Sequence, residues 1–307
     1  MFKKRGLIYE FNKNKVLFFM ILPAVVYFLV FAYIPMAGII VAFKSYTYKG
    51  GLFFSPWAGF DNFKFFFTSG QAWIVTRNTF LFNITFMIVC NFLQILTAIL
   101  LAEMAGKYYK KICQSVMFFP YFISWVVVGV FAYNLFNYEY GTINSMLKTM
   151  GMEPVNFYNT PGVWKYILVL FNSWKWIGYG SVMYLASIMG IDGECYEAAE
   201  IDGANVFQKI WCITLPMIKP TIIILMLLNL GRVLRGDFEM FYQLIGDNGQ
   251  LFNATDVIDT FVFRSLISSN DIGMSSSAAF YQSIICFATI MIANSIVRRI
   301  EKDYALF

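Results

Sequence analysis

Crossing a hydrocarbon core of about 30 Å as an α-helix takes about 20 predominantly apolar residues, and this sequence supplies that length repeatedly. Such runs, interrupted only by isolated polar residues, lie near 16–43, 78–105, 112–136, 163–190, 212–234 and 277–297. An unpaired backbone amide is too costly in lipid for irregular structure, so each run is read as a helix that satisfies its own hydrogen bonds. The expected class is therefore an all-α integral membrane protein with six transmembrane helices. Composition agrees, because 59% of the residues are hydrophobic, 20% aromatic and only 13% charged, too apolar for a soluble domain of this size.

The first run follows "MFKKRGLIYEFNKNK", which imitates the basic start of a signal peptide. Its apolar part is too long and no small-x-small cleavage site follows, so it is expected to persist as helix one. Lys3, Lys4, Arg5, Lys13 and Lys15 then hold the N-terminus in the cytoplasm by the positive-inside rule. Six spans return the C-terminal "RRIEKDYALF" to the same side, and Lys107, Lys110 and Lys111 mark the loop between helices two and three as cytoplasmic too. The expected organisation is a cytoplasmic segment 1–15, a transmembrane domain 16–297 and a cytoplasmic tail 298–307. The outside segments, 44–77, 137–162 and 235–276, are too long for hairpin turns and should fold onto the outer surface. Within them "GTINSMLKTMGM" at 141–152 has apolar residues at helical spacing between glycines, the pattern of a short interfacial helix.

Several function classes fall away on residue types. There is no histidine, which excludes imidazole metal sites and every Ser/His or Cys/His catalytic arrangement. Cys90, Cys113, Cys195, Cys212 and Cys286 show no paired spacing and are read as small buried hydrophobes, with no metal site. The formal charge of +5 does not point to nucleic acid, since the cations cluster at the ends of apolar runs. No carboxylate pair, and no nucleophile with a base, falls inside the spans, which argues against a membrane-bound enzyme. A self-sufficient secondary transporter would show internal repeats or paired Gly/Pro-broken helices, and neither is found.

One polar stretch stands out between the fourth and fifth runs, "YEAAEIDGANVFQKIWCITLPMIKP" at 196–220. Tyr196–Glu200 reads as a short helix, Gly203 permits a turn that a Cβ would hinder, and 206–213 can form a second helix. Leu215-Pro216 and Pro220 then open helix five. Ala198 and Ala199 would let another protein's walls approach closely while Glu197 meets donors at the rim; on charge alone an ordinary solvated acidic loop is the favoured reading. Residue order decides between them. Glu197-Ala198-Ala199, three residues, Gly203, nine residues, Ile213, one residue and Leu215-Pro216 resembles the EAA signature of ABC importer permeases at every fixed position. Asp202-Gly203-Ala204 completes the longer form typical of sugar importers.

The resemblance covers nearly the whole chain. "WAGFDNFKFFF" at 57–67 and "NTFLFNITF" at 78–86 are similar to the segments that lead into helix two of sugar permeases. "DVIDTFVFRSLI" at 256–267 and the "SSAAFYQSIICFATIMIANSIVRR" after it resemble the polysaccharide and oligosaccharide subfamily. The resemblance implies the type I importer permease (MetI-like) fold in a bacterial plasma membrane, with residues 191–213 forming a cytoplasmic coupling loop. Its site would comprise Glu197, Ala198, Ala199, Asp202, Gly203, Ala204, Ile213, Leu215 and Pro216. It also implies a separate ABC ATPase dimer, a second permease expected to be a different chain, and an extracytoplasmic sugar-binding protein. No GxxxxGK[ST] occurs here, so ATP and Mg²⁺ would sit on the partner ATPase and this chain would bind no cofactor. Cys195 departs from the family's pattern, which often has a Leu-like residue there.

Polar groups inside apolar helices are expensive and usually face a cavity or a partner helix. Helix four holds Asn172, Trp174, Lys175, Trp176 and Tyr179; helix five ends with Asn229, Arg232, Arg235 and Asp237; helix six adds Tyr281 and Gln282. Aromatic faces beside hydrogen-bonding groups suit a sugar, and Lys175, Arg232 and Arg235 would favour an acidic one. The competing reading makes Trp174 and Trp176 part of an interface belt, with the arginines snorkelling or pairing with Asp237.

Overall fold

A computed structural model describes residues 13–300. Lys3, Lys4, Arg5 and the tail 301–307, on which part of the topology argument rests, lie outside the described residues. Among the described residues the chain is helical without a β-sheet, its sole bridge being Lys44 with Trp57.

Among the described residues, four helices are long and apolar enough to cross a membrane: Lys15–Phe43, Gln71–Glu103, Val206–Leu230 and Ile272–Arg299. The third expected span, 112–136, is not one helix. Lys107–Phe122 and Trp125–Phe136 meet at 93° and make a fifth span only if taken together. Three local features produce the break: Pro120 lies in the last turn of the first piece, Ile123 is extended, and the Ser124 hydroxyl accepts from the Val127 amide to cap the second piece. The fourth, Pro161–Met189, has 29 residues and ample length. Its Asn172–Tyr179 stretch leaves it less apolar than the others, and its place is the centre of the bundle.

Two clusters of buried residues grip this central helix against Gln71–Glu103. Near one end Phe82, Phe86, Trp164, Leu168 and Phe171 pack with Trp125 and Phe241. Near the other, Ala98 and Leu101 meet Tyr184, Leu185 and Ile218. Glycines set the spacing. A Cβ at Gly178 would lie 1.9 Å from the Met117 carbonyl oxygen, and one at Gly129 would lie 2.5 Å from the Gln243 carbonyl oxygen, so the backbones touch as small-residue membrane interfaces allow. The first span behaves differently: no residue from Lys15 to Met36 is buried.

The segments at 44–77, 137–162 and 235–276 contain short helices, among them Asp61–Thr68, Thr142–Thr149, Phe238–Ile245 and Ile258–Ile267. The Thr142–Thr149 helix lies inside the 141–152 stretch, ended by Gly151 at φ +76°. Long-range bonds tie the third segment down: the Asn78 amide donates to the Asp256 carbonyl at 3.1 Å, and the Ile258 amide to the Thr79 hydroxyl at 3.0 Å. Cys90 is buried and Cys113 and Cys286 half-buried, but Cys195 and Cys212 are exposed. Both sit on the polar loop, where no neighbouring helix covers them.

Candidate functional site

The polar loop is a helix, a turn and a second helix. Gly193–Ile201 begins at Asp192, whose carboxylate accepts from the Glu194 amide at 3.1 Å. It ends where Gly203 takes φ +77°. The Gly203 amide then reaches the Glu200 carbonyl at 3.1 Å and the Ala204 amide the Ala199 carbonyl at 2.9 Å, the double bond of a Schellman ending. This explains why a glycine must follow the Glu-Ala-Ala triplet at that spacing: any side chain would strain the left-handed residue that turns the chain back.

The second helix starts one residue later. Asn205 accepts from the Gln208 amide at 2.9 Å, and the Gln208 side chain accepts from the Asn205 amide at 2.8 Å, a reciprocal cap. Lys209 crosses to Glu200 at 2.8 Å, and the Tyr196 hydroxyl lies 2.9 Å from that of Thr214. The Lys209 hydrogen bond holds the Glu200 carboxyl below its ordinary range. Sequence reasoning missed these three tethers, although the Asn-x-x-Gln spacing signals the cap. The second helix also fails to stop at Leu215-Pro216. A π turn at Ile210–Thr214 leads into Leu215–Leu230, making one helix from Val206 to Leu230. The wider register spares Pro216 the amide bond it cannot make.

Glu197, Ala198, Asp202, Gly203 and Pro216 are exposed, while Ala199, Ala204, Ile213 and Leu215 are half-buried. Ala199, Asp202, Gly203, Ala204 and Ile213 line a shallow cleft of about 280 Å³. Around it Ile201, Phe207 and Trp211 are 87%, 75% and 70% exposed, an apolar rim that the residue pattern of the loop does not announce.

The proposed path residues do not converge on one point. Lys175 is buried, donating its amine to the Tyr121 and Ile123 carbonyls at the break of the third span, with the Trp125 ring centroid 5.0 Å away. Trp125 in turn donates to Asp237 at 3.1 Å, and Asp237 caps Phe238–Ile245 through the Met240 amide. Trp176 and Tyr179 gather on Tyr121, the two tyrosines stacked at 4.6 Å, while Trp174 is exposed. Asn172 is buried, accepting from Cys90 at 3.2 Å. Asn229, Arg232 and Arg235 are exposed at the end of the fifth span. Tyr281 pairs with Thr76 at 3.1 Å, and Gln282 donates to the Leu234 carbonyl and to Asp259.

A helical bundle with several membrane-length helices and a rigid, exposed helix–turn–helix defines a multi-pass membrane subunit. The chain belongs to the family of binding-protein-dependent transport system inner membrane components, whose model matches residues 94–304. It is not itself an enzyme but a transport permease. Protein LplB of Bacillus subtilis (strain 168) is 31% identical over 292 residues, covering 95% of this chain and 91% of that one. The polygalacturonan/rhamnogalacturonan transport system permease protein YteP of the same organism is 30% identical over 301 residues, covering 98% and 93%. Among solved structures, a bacterial alginate ABC transporter in complex with the alginate pentasaccharide-bound periplasmic protein superposes with a TM-score of 0.86 at 32% identity, covering 97% and 99%.

Proposed function

We propose that this chain is the transmembrane permease subunit of an ATP-driven, binding-protein-dependent importer of carbohydrate, an oligosaccharide or polysaccharide fragment, in the bacterial plasma membrane with both termini cytoplasmic. The carbohydrate assignment is supported by relatives named for polygalacturonan/rhamnogalacturonan, arabinooligosaccharides and alginate. The observation that carries the mechanism is the loop at 191–213, which offers a capped, glycine-turned knob with Glu197 and Ala198 exposed on its edge and a rim of Ile201, Phe207 and Trp211. Such a knob fits a groove on a separate ATPase dimer, which would hold ATP and Mg²⁺. Glu197, Ala198, Ala199, Asp202, Gly203 and Ala204 form the contact; Ile213, Leu215 and Pro216 join it to the fifth span. Closure of the ATPase moves the loop and switches the bundle between two access states.

A second permease is supported by the first span, which buries none of its residues from Lys15 to Met36 against its own chain and so has apolar surface available for a partner as well as for lipid. An extracytoplasmic sugar-binding protein delivers substrate to the outer segments. Asn172, Trp174, Lys175, Trp176, Tyr179, Asn229, Tyr281 and Gln282 belong to the helices that flank the path, and Arg232 and Arg235 lie just beyond the end of the fifth. Trp174, Tyr179, Asn229, Arg232 and Arg235 are the ones with free surface for the solute.

Gly203→Asp and Glu197→Lys test the loop, since both positions are exposed and neither supports the core. Both variants should assemble in the membrane yet lose ATPase co-purification and sugar uptake into vesicles. Normal uptake by both would refute the assignment.

A further inference from the structure

Away from these path residues, Phe238–Ile245 and the two short helices Phe252–Thr255 and Ile258–Ile267 enclose a cavity of about 80 Å³. That is several times the roughly 10–15 Å³ one water needs. Its walls include the rings of Tyr242, Phe252 and Phe263, and its polar floor is Asp256 with Arg264. Arg264 donates to both Asp256 oxygens and lies with its guanidinium carbon 3.8 Å from the Phe252 ring centroid. The Asp256 side chain is 2% exposed, and the Thr260 hydroxyl donates to it at 2.7 Å.

This arrangement leaves binding capacity unspent. A carboxylate offers about four acceptor positions and a guanidinium five N–H groups; the contacts above use three of the former and two of the latter. Rings beside a fixed acceptor and a fixed donor match a pyranose, which presents a C–H face and a hydroxyl edge. Charge then selects among sugars. Asp247 at the rim joins Asp256 against the single Arg264, so the wall is net negative and repels a uronate.

We propose that this cavity is a saccharide subsite that takes one uncharged pyranose unit, its face on Tyr242 and Phe263 and its hydroxyls on Asp256 and Arg264. The assignment rests on the importer reading above, and it gives the imported oligosaccharide at least one neutral residue. It lies in "DVIDTFVFRSLI" and the segment before it, stretches to which the coupling loop and the path helices assign no task.

The test uses the chain assembled with its partner subunits in lipid nanodiscs without nucleotide, with saturation-transfer NMR reporting binding of methyl β-D-glucopyranoside or its uronate analogue at millimolar concentration. The glucoside should bind in preference to the uronate, and Tyr242→Ala should weaken it by about fivefold or more, the scale of a lost ring contact. Asp247 is exposed, so Asp247→Asn tests charge without disturbing packing and should narrow the preference. Glucoside binding unchanged in Tyr242→Ala, or a uronate bound as well as the glucoside, would overturn the subsite. Loss of ATP-driven sugar uptake in the unmodified complex, with probe binding and its Tyr242 dependence intact, would refute the importer reading and leave the subsite standing.

Discussion

Gly178→Ala adds a single methyl group where the central helix meets Lys107–Phe122. The added Cβ would lie 1.9 Å from the Met117 carbonyl oxygen, 2.4 Å from its carbon and 2.7 Å from the Phe118 nitrogen. All three are backbone atoms, so no rotamer change relieves the clash. Ordinary contact begins near 3.4 Å, and the helices must part by roughly 1.5 Å to reach it. That separation would loosen the Tyr121–Tyr179 stack and the Lys175 bonds to the third-span carbonyls, which bridge the same two helices. Overpacking of this kind costs about 1–3 kcal/mol, and each kcal/mol lowers an apparent Tm by about 2–4 °C in a chain of this size or somewhat smaller. The control is Gly193→Ala, at the start of its helix with nothing within 4 Å of the new Cβ, which should change stability by no more than about 1 kcal/mol. Thermal melts of the detergent-solubilised complex decide the matter. If Gly178→Ala melts with Gly193→Ala, the close backbone approach is wrong.

Lys175→Met should orphan the Tyr121 and Ile123 carbonyls and cost about 1–3 kcal/mol, reducing assembled complex while uptake per assembled complex stays unchanged; a fall in normalised uptake would return Lys175 to the solute path. Because the Glu200 carboxyl is held down by Lys209, the tether is present above the ordinary glutamate pKa and is lost only as pH falls through the lower folded value. Carbon NMR of the Glu200 side chain should follow that depressed titration, and Lys209→Gln should restore the ordinary one. Reporter fusions after residues 108, 150 and 205 should read cytoplasm, outside and cytoplasm, and a cytoplasmic reading at 150 would overturn the topology.

The membrane spans were legible because lipid leaves a chain few ways to satisfy its backbone, so length and apolarity mark a helix almost regardless of neighbours. What sequence could not show was how span three divides. Pro120 by itself is tolerated inside the Lys107–Phe122 helix, and the carbonyls freed at the bend find their donor in Lys175, 52 residues beyond Ile123. The loop was legible in outline, since Gly203 and the Glu-Ala-Ala triplet have local meaning. Its stop at Leu215-Pro216 was misjudged because a π turn, invisible as a residue pattern, lets the helix run on. The path residues were hardest: a Lys or Gln inside a span looks the same in sequence whether it meets a solute or, as with Lys175 and Gln282, a backbone carbonyl from a distant segment.

The uninterrupted helix from Val206 to Leu230 has a mechanical meaning. At 1.5 Å per residue its 25 residues make a strut of about 37 Å, with no joint between the loop's second helix and the end of the fifth span. A tilt imposed at Val206 therefore reappears at Asn229 with opposite sense about whatever point the strut pivots on, and Ile218, wholly buried in the cluster that includes Ala98 and Leu185, is placed near mid-length to serve as that fulcrum. The compliant place is the π turn at Ile210–Thr214. Its stiffness sets how much of a displacement at the loop is spent in bending and how much arrives at the far end.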